Sequence, residues 1–354
     1  MRVLVAGAGA VGSTVALQLQ SEGAKVVIAD PAGLGDNASG VAAGMLAPAS
    51  EAVFDEVSTG RFEVLAAARD LWPGFAERLE EFGACLDRSG ALWVGEEASQ
   101  ARVLARLSGA GAKAYRVSAA EAGRLSHGLN APQGAVFTPE DWRIAPGALL
   151  MAMRTAFLAG GGELRRSGLR RWDQGRVEFS DGEVLTVDAV ILATGLAPDG
   201  LATALPELET LSPIKGQIVR LGSEAPMTGP VVRANGIYVS PCRSGALAGA
   251  TMQPGVRDRG VEPEAVRKLH RAAAELFPDL AEAPATGAAG VRAATPDGLP
   301  LVGASSLAGV SLALGARRNG WLLAPLAAEM LADQLAGVPP GPFAAPFDPR
   351  RFGR

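Results

Sequence analysis

The sequence predicts an α/β chain in which a Rossmann-type nucleotide-binding domain is joined to a second domain of α+β character with a mixed sheet. Three stretches carry that prediction. "RVLVAG", residues 2–7, is a β-branched and leucine-rich run feeding a glycine-rich turn and then a helical stretch. "DAVILATG", residues 188–195, is another buried strand ending on a glycine. "GVSLALGARRNGWLLAPLAAEMLADQLAG", residues 309–337, is again strand, glycine-rich turn and helix. Uniformly apolar strands that alternate with helices suit a parallel sheet covered on its faces.

Taken in order, the first strand runs into Gly7-Ala8-Gly9-Ala10-Val11-Gly12, and the helix spans Ser13 to Glu22. Gly7 makes the tight turn, Gly9 lets backbone N–H groups approach a pyrophosphate, and Gly12 lets helix pack on strand. The helix N-terminus faces the phosphates with its favourable dipole. "AKVVIAD" reads as a second strand ending at Asp30, at the distance expected of the acid that binds a ribose hydroxyl. Without a ligand the same loop is only a glycine-rich turn. With strand, helix, strand and acid in sequence, it points to an adenine dinucleotide.

The later chain bears on which dinucleotide. Arg176 to Val187 alternates about Asp181-Gly182 and reads as a hairpin. It feeds the strand that ends at Ala193-Thr194-Gly195, where glycine permits close backbone approach. That meander belongs to two-domain flavoproteins, and simple nicotinamide dehydrogenases do not need it. In the C-terminal unit Leu322, Leu326 and Met330 recur at helical spacing beside Leu323, Ala327, Leu331 and Leu335. Pro325 falls in the opening turns, where it does least harm. A helix N-terminus at Gly320 could face the pyrimidine edge of an isoalloxazine and stabilise the anion that develops there on reduction.

Composition narrows the function. The 354 residues suffice for about two domains and a large core. Thirty-three basic and 37 acidic residues give a charge of −4 without single-sign blocks, which argues against a nucleic-acid partner. Cys85 and Cys242 have no CxxC spacing, so neither a disulfide framework nor a zinc site is expected. The only histidines, His127 and His270, read as surface or structural residues, and no metal site is expected. The N-terminus has some look of a signal peptide, but its regular glycines and the polar helix behind them argue against one. No run of 18 apolar residues exists, so a cytoplasmic protein without a membrane partner is expected.

The chain resembles the FAD-dependent D-amino-acid-oxidase superfamily, and within it the glycine-oxidase branch associated with thiamine biosynthesis. The carriers are "GAGAVG", "ASGVAAGMLAP" (38–48), "ATG", "IYVSPCRSGALAGATM" (237–252), "GVRAATPDGLPLVG" (290–303) and "GARRNGWLLAP" (315–325). The resemblance implies that Ala10 and Val11 lie at the pyrophosphate and Asp30 at the ribose. Ala38, Ser39, Ala43, Gly44 and Met45 would line the flavin, with Met45 also near substrate. Ala316, Arg317, Arg318, Asn319, Gly320, Trp321 and Leu322 would wrap its pyrimidine side. Arg292 would hold a substrate carboxylate with help from the Tyr238 hydroxyl, Arg318 would offer a backbone carbonyl to the amine, and Met252 would shape the wall. Read by itself, Arg292 is equally a surface arginine following a strand. A guanidinium fork matches a carboxylate bidentately, and no acid–base residue is needed if the task is to hold Cα–H over flavin N5.

Two departures bear on specificity: Cys242 and Ala316 stand where such sequences often carry an arginine and a histidine. Neither cysteine lies in the C-terminal segment, so the flavin is expected to be non-covalent. The expected FAD domain is discontinuous, 1–50, 145–215 and 286–354. The substrate domain, 51–144 and 216–285, would combine a helical stretch from Phe62 to about Glu140, strands around 216–253 and a helix from Pro263 to Leu276. A helical region around 55–83 should break at Trp72-Pro73, with Phe62, Trp72, Phe75 and Phe82 in the core. The proline-rich tail should drape or fray. Three functions follow. The first is oxidation of glycine or a small D- or N-methyl amino acid, hydride passing to the flavin and O2 reduced to H2O2, with room for a homo-oligomer. The second is a dehydrogenase of the same fold feeding a quinone or carrier. The third is a non-catalytic or tRNA-modifying flavoprotein module, which the lack of a basic patch disfavours.

Overall fold

The computed structural model describes residues 1–196, 205–234 and 236–353; the stretch 197–204 of the expected FAD domain lies outside the described residues. A six-stranded sheet runs in the order Leu301–Ala304, Val310–Leu314, Ala189–Leu192, Arg2–Ala6, Lys25–Ala29, Glu163–Arg165. All neighbours are parallel except the Leu301–Ala304 edge. Alternate residues of its strands face two separate cores. Val3, Val5, Val26 and Ile28 pack under the helices Ala10–Ser21, Pro146–Ala159 and Gly320–Ala336. Leu4, Val27, Val190 and Leu192 pack on the meander whose strands are Leu169–Asp173, Arg176–Phe179 and Val184–Thr186. The expected hairpin is therefore the second half of a three-stranded layer, turning at Gly182 with φ +85°.

A nine-stranded mixed sheet forms the second layer system. At one end of it Ser212–Gly222 pairs antiparallel with Ala285–Ala294 over ten residue pairs. The helix Pro263–Leu276, where the sequence places it, seals one face through Leu269, Ala273 and Leu276. The opposite face looks toward the nucleotide-binding half.

Four expectations need correction. The stretch from Phe62 to Glu140 is not continuously helical: Leu86–Asp87, Ala91–Val94, Tyr115–Val117 and Ala135–Thr138 are strands. Runs such as "ALWV" are too short for periodicity to separate strand from helix. The chain does break where expected, with helices Phe62–Asp70 and Trp72–Glu77. These two helices, however, join the core of the first domain, where Trp72 is fully buried and its Nε1 donates to the Leu322 carbonyl at 3.2 Å. Strand Ala285–Ala294, expected mostly with 286–354, hydrogen-bonds into the mixed sheet, because its partner strand is long enough to take it whole. The tail is anchored: Phe347 is fully buried, and Arg351 meets Asp297 through two 2.9 Å contacts. No helix among the described residues is long and apolar enough to cross a membrane.

Candidate active site

The glycine loop is built as its spacing requires. Gly7 has φ +111°, and a Cβ there would lie 2.4 Å from the Ala193 carbonyl oxygen. A Cβ on Gly12 would lie 2.0 Å from the Gly7 carbonyl oxygen, so Gly12 serves helix packing and does not face a ligand. The Asp30 carboxylate closes the strand end by accepting the N–H groups of Ala8 at 2.7 Å and Ala32 at 2.8 Å. Ser39 comes from a distant turn to accept the Ala10 N–H on its Oγ at 2.9 Å. The N–H groups of Val11 and Gly12 remain without intrahelical partners, as at any helix start.

These residues border a groove whose walls include Gly7, Gly9, Ala10, Val11, Asp30 and Ala38. Its other side is formed by Gly195, Ala316, Arg317 and Gly320. Two helix N-termini, at Ala10 and Gly320, open onto it. Backbone N–H donors, glycine-smoothed walls and an acid at the far end form a donor set that fits FAD: phosphates at the first helix, an anionic ring edge at the second. The turn Gly315–Asn319 is held in shape by the Arg317 N–H, which donates to Ala293 O at 2.9 Å. Arg317 itself has φ +49°, unusual for a side-chain-bearing residue. Leu322 differs from expectation. Its side chain is fully buried in the core and its carbonyl accepts from Trp72, so only its N–H is left at the helix start.

The groove meets a cavity of about 570 Å³, and Ala38 and Arg292 border both. Ala43, Gly44, Met45, Asn319 and Trp321 line the cavity on the nucleotide side. Tyr238, Met252, Arg292 and Arg318, far apart in sequence, also line it. Two glycines make room on the sheet face. A Cβ on Gly216 would lie 2.2 Å from Arg292 Nη1, and one on Gly249 would lie 2.6 Å from Tyr238 Oη. Arg292 therefore folds back over the strand beside its own, and Tyr238 leans over its cross-strand neighbour.

Arg292 has no carboxylate partner among the described residues; its one polar contact is Met252 Sδ, 3.6 Å from Nη1. Burial, reinforced by the Arg318 and Arg317 charges, pushes its pKa below the ordinary arginine value, partly offset by Tyr238 and Glu51. Burial raises the Tyr238 pKa, although Arg292, Arg233 and Arg318 pull the other way. The Tyr238 hydroxyl has no hydrogen-bond partner among the described residues.

Arg318 is different. Its guanidinium is gripped by Glu51, with Nε–Oε2 at 2.9 Å and Nη2–Oε1 at 3.1 Å, while Arg317 meets Asp55 at 2.5 Å. Glu51 first and then Asp55 raise the Arg318 pKa. Sequence reasoning missed Glu51, Asp55 and Arg233. The only signal was a pair of acids four apart, one helical turn, matching two adjacent arginines. The helix Pro48–Phe54 that carries Glu51 is pinned by buried Asp141. Its carboxylate accepts the N–H groups of Ala49 (2.9 Å) and Ser50 (3.0 Å) and the hydroxyls of Ser50 (2.6 Å) and Thr138 (3.2 Å). Of the two histidines, His270 contacts the Leu280 carbonyl at 2.7 Å, a structural role. Cys85 and Cys242 are free and exposed, and the described residues include no metal-holding cluster.

Comparison with known proteins gives three concordant results. A family model described as DAO, FAD dependent oxidoreductase, matches residues 2–334. Glycine oxidase of Geobacillus kaustophilus (strain HTA426) is 30% identical over 349 residues, 94% of this chain and 92% of its own length. Among solved structures, glycine oxidase from Geobacillus kaustophilus has a TM-score of 0.86 at 28% identity and 98% coverage of both chains. Iminodiacetate oxidase (IdaA) from Chelativorans sp. BNC1 also has a TM-score of 0.86, at 26% identity, covering 98% of this chain and 99% of its own.

Proposed function

This chain belongs to the DAO family of FAD-dependent oxidoreductases, and from that premise we propose that it oxidatively deaminates glycine or a small D- or N-methyl amino acid. When bound, FAD would supply the two-electron acceptor: a hydride from Cα and a proton from the amine end on O2 as H2O2, and the resulting imine takes up water to give an oxo acid and ammonia, or methylamine from an N-methyl substrate. The observation that carries this reading is Arg292, a cation without a carboxylate at the seam of groove and cavity. A guanidinium so placed holds a carboxylate by its two-pronged face. Tyr238, whose hydroxyl stays protonated because burial raises its pKa, donates to the same group. Met45 and Met252 fill the walls, and the Arg318 backbone carbonyl takes the amine while Glu51 occupies its side chain. Catalysis then rests on orientation of Cα–H more than on proton transfer by the protein.

The test is oxygen uptake and peroxide formation by the yellow holoenzyme across a panel of glycine, N-methylglycine and small D-amino acids. Oxygen consumption matched by peroxide supports the oxidase. Substrate-dependent bleaching that only a quinone or artificial acceptor reverses assigns a dehydrogenase instead, and no bleaching by any amino acid overturns the reading. Flavin released intact on acid precipitation would establish non-covalent attachment.

A further inference from the structure

The cavity holds more positive charge than one carboxylate needs. Among the described residues its charged lining is Arg102, Arg106, Arg233, Arg292 and Arg318 against Glu51 alone. Glu51 shares its single charge between Arg318, hydrogen-bonded through Oε1 at 3.1 Å with Oε2 2.9 Å from Nε, and Arg233, whose Nη2 lies 3.5 Å from Oε1. Arg233 is itself buried, 6% exposed, and its Nε has no hydrogen-bond partner among the described residues. The other contact of its Nη2 is Met45 Sδ at 3.1 Å. Asp141 feels the Arg233 charge, but its oxygens are taken by the start of the Pro48–Phe54 helix. Leaving a buried guanidinium so incompletely paired is unfavourable unless another anion completes it.

Its position says where that anion would sit. Arg233 is the direct cross-strand partner of Tyr238, so both side chains stand on the same sheet face. The Tyr238 ring leans the other way, over Gly249, toward the strand on which the Arg292 guanidinium rests. Tyr238 thus lies between two cationic poles on the cavity wall. At the rim, Ser99, Arg102, Val103 and Arg106 share one face of the helix Glu97–Gly109 by their spacing, and that face lines the cavity. Neither rim arginine has a carboxylate partner among the described residues: Arg102 donates to Ser99 Oγ at 2.8 Å, and Arg106 to the Val53 carbonyl.

We propose that the substrate carries a second carboxylate, held by Arg233 on the far side of Tyr238 from Arg292 and attracted inward by Arg102 and Arg106. This rests on the amino-acid oxidation reading above and narrows its substrate class to amino acids bearing two carboxylates.

The experiment measures the second-order rate of anaerobic flavin bleaching in the holoenzyme for matched pairs: iminodiacetate against N-methylglycine, and D-glutamate against D-glutamine. At least one dicarboxylate should exceed its neutral partner at least tenfold, with the advantage shrinking as salt rises. Arg233→Met, similar in length but uncharged, should lower that acid-to-neutral ratio at least tenfold, and Arg106→Gln should flatten its salt dependence. A purely structural role for Arg233 would slow both members of a pair alike and leave the ratio in place. Neutral substrates that bleach as fast as acidic ones in the wild type overturn the proposal while the oxidation reading stands. Bleaching by neither set nor by glycine overturns the oxidation reading, and this proposal with it.

Discussion

At the scale of the residue, chemistry depends on which charges are already spent. Arg317 and Arg318 look as available as Arg292 in sequence, yet Asp55 and Glu51 neutralise them, and Arg292 is left open. Arg292→Ala should keep the flavin and lose about 2–4 kcal/mol of transition-state binding, roughly 30- to 1,000-fold in kcat/KM for carboxylate substrates. Arg292→Lys should rescue only partly, because a point charge does not reproduce the fork. Unchanged kinetics would remove Arg292 from the site. The same inventory bears on pH. Among the described residues the one carboxylate lining the cavity, Glu51, is tied to Arg318, and burial raises the Tyr238 pKa. In the proposed reaction the neutral amine then forms without a base from these residues. Flavin bleaching under kcat/KM conditions should accelerate as pH rises toward the substrate amine's own pKa. An amine of lower pKa should carry the limb down with it, whereas a limb fixed across substrates would reveal a base.

At the scale of the element, the helix Pro48–Phe54 shows how a short segment becomes a positioning device. Its N-terminus has no cap from its own sequence, and Asp141 supplies one from across the fold. One helical turn then presents Glu51 and Asp55 to the adjacent Arg318 and Arg317 in the turn before the helix Gly320–Ala336. Asp141→Ala would leave two buried N–H groups and two hydroxyls short of an acceptor, costing about 3 kcal/mol. Thermal unfolding should move down by several degrees, and a melting curve within about 1 °C of wild type would dismiss Asp141 as an anchor. The glycine loop is equally local. Gly7→Val would drive a side chain into the Ala193 carbonyl, and the purified variant should be colourless. Full flavin occupancy in that variant would refute this reading of the turn.

At the scale of the whole molecule, the long pairing of Ser212–Gly222 with Ala285–Ala294 carries Arg292 from the mixed sheet to the nucleotide groove. Just beyond that strand the Thr295–Gly298 turn is fastened to the C-terminus by Arg351, which meets Asp297 bidentately and also donates to the Leu299 and Pro300 carbonyls. Partial burial alone would raise the Asp297 pKa, but Arg351, the Leu299 N–H and Thr295 hold it below the usual carboxylate value. A depressed carboxyl contributes stability above its unfolded pKa, about 3.9, and loses it as pH falls through the lower folded value. Arg351→Ala should remove about 1 kcal/mol at neutral pH, allowing for solvent at the pair. Its stability should also fall less steeply than wild type below about pH 4. A variant that matches wild type in both acid and neutral denaturant titrations would show that the tail is not fastened by this pair.

The sequence by itself determined the parts of the protein whose physics is local. A tight strand-to-helix turn needs glycines at fixed offsets within a few residues, so the turn at Gly7, the close packing at Gly12 and the strand end before Asp30 could be read directly. The C-terminal helix and the helix Pro263–Leu276 were legible because their apolar faces repeat over three or more turns. Short strands such as Ala91–Val94 were not, since four apolar residues carry no period. Only the tertiary structure decided which arginine is free. Glu51 and Arg318 are separated by 267 positions, and Arg233 lies 182 from its weak partner Glu51; no spacing rule spans such gaps. Charge compensation is a property of distance in space, and folding alone brings Glu51 to Arg318 while leaving Arg292 and Arg233 facing the cavity.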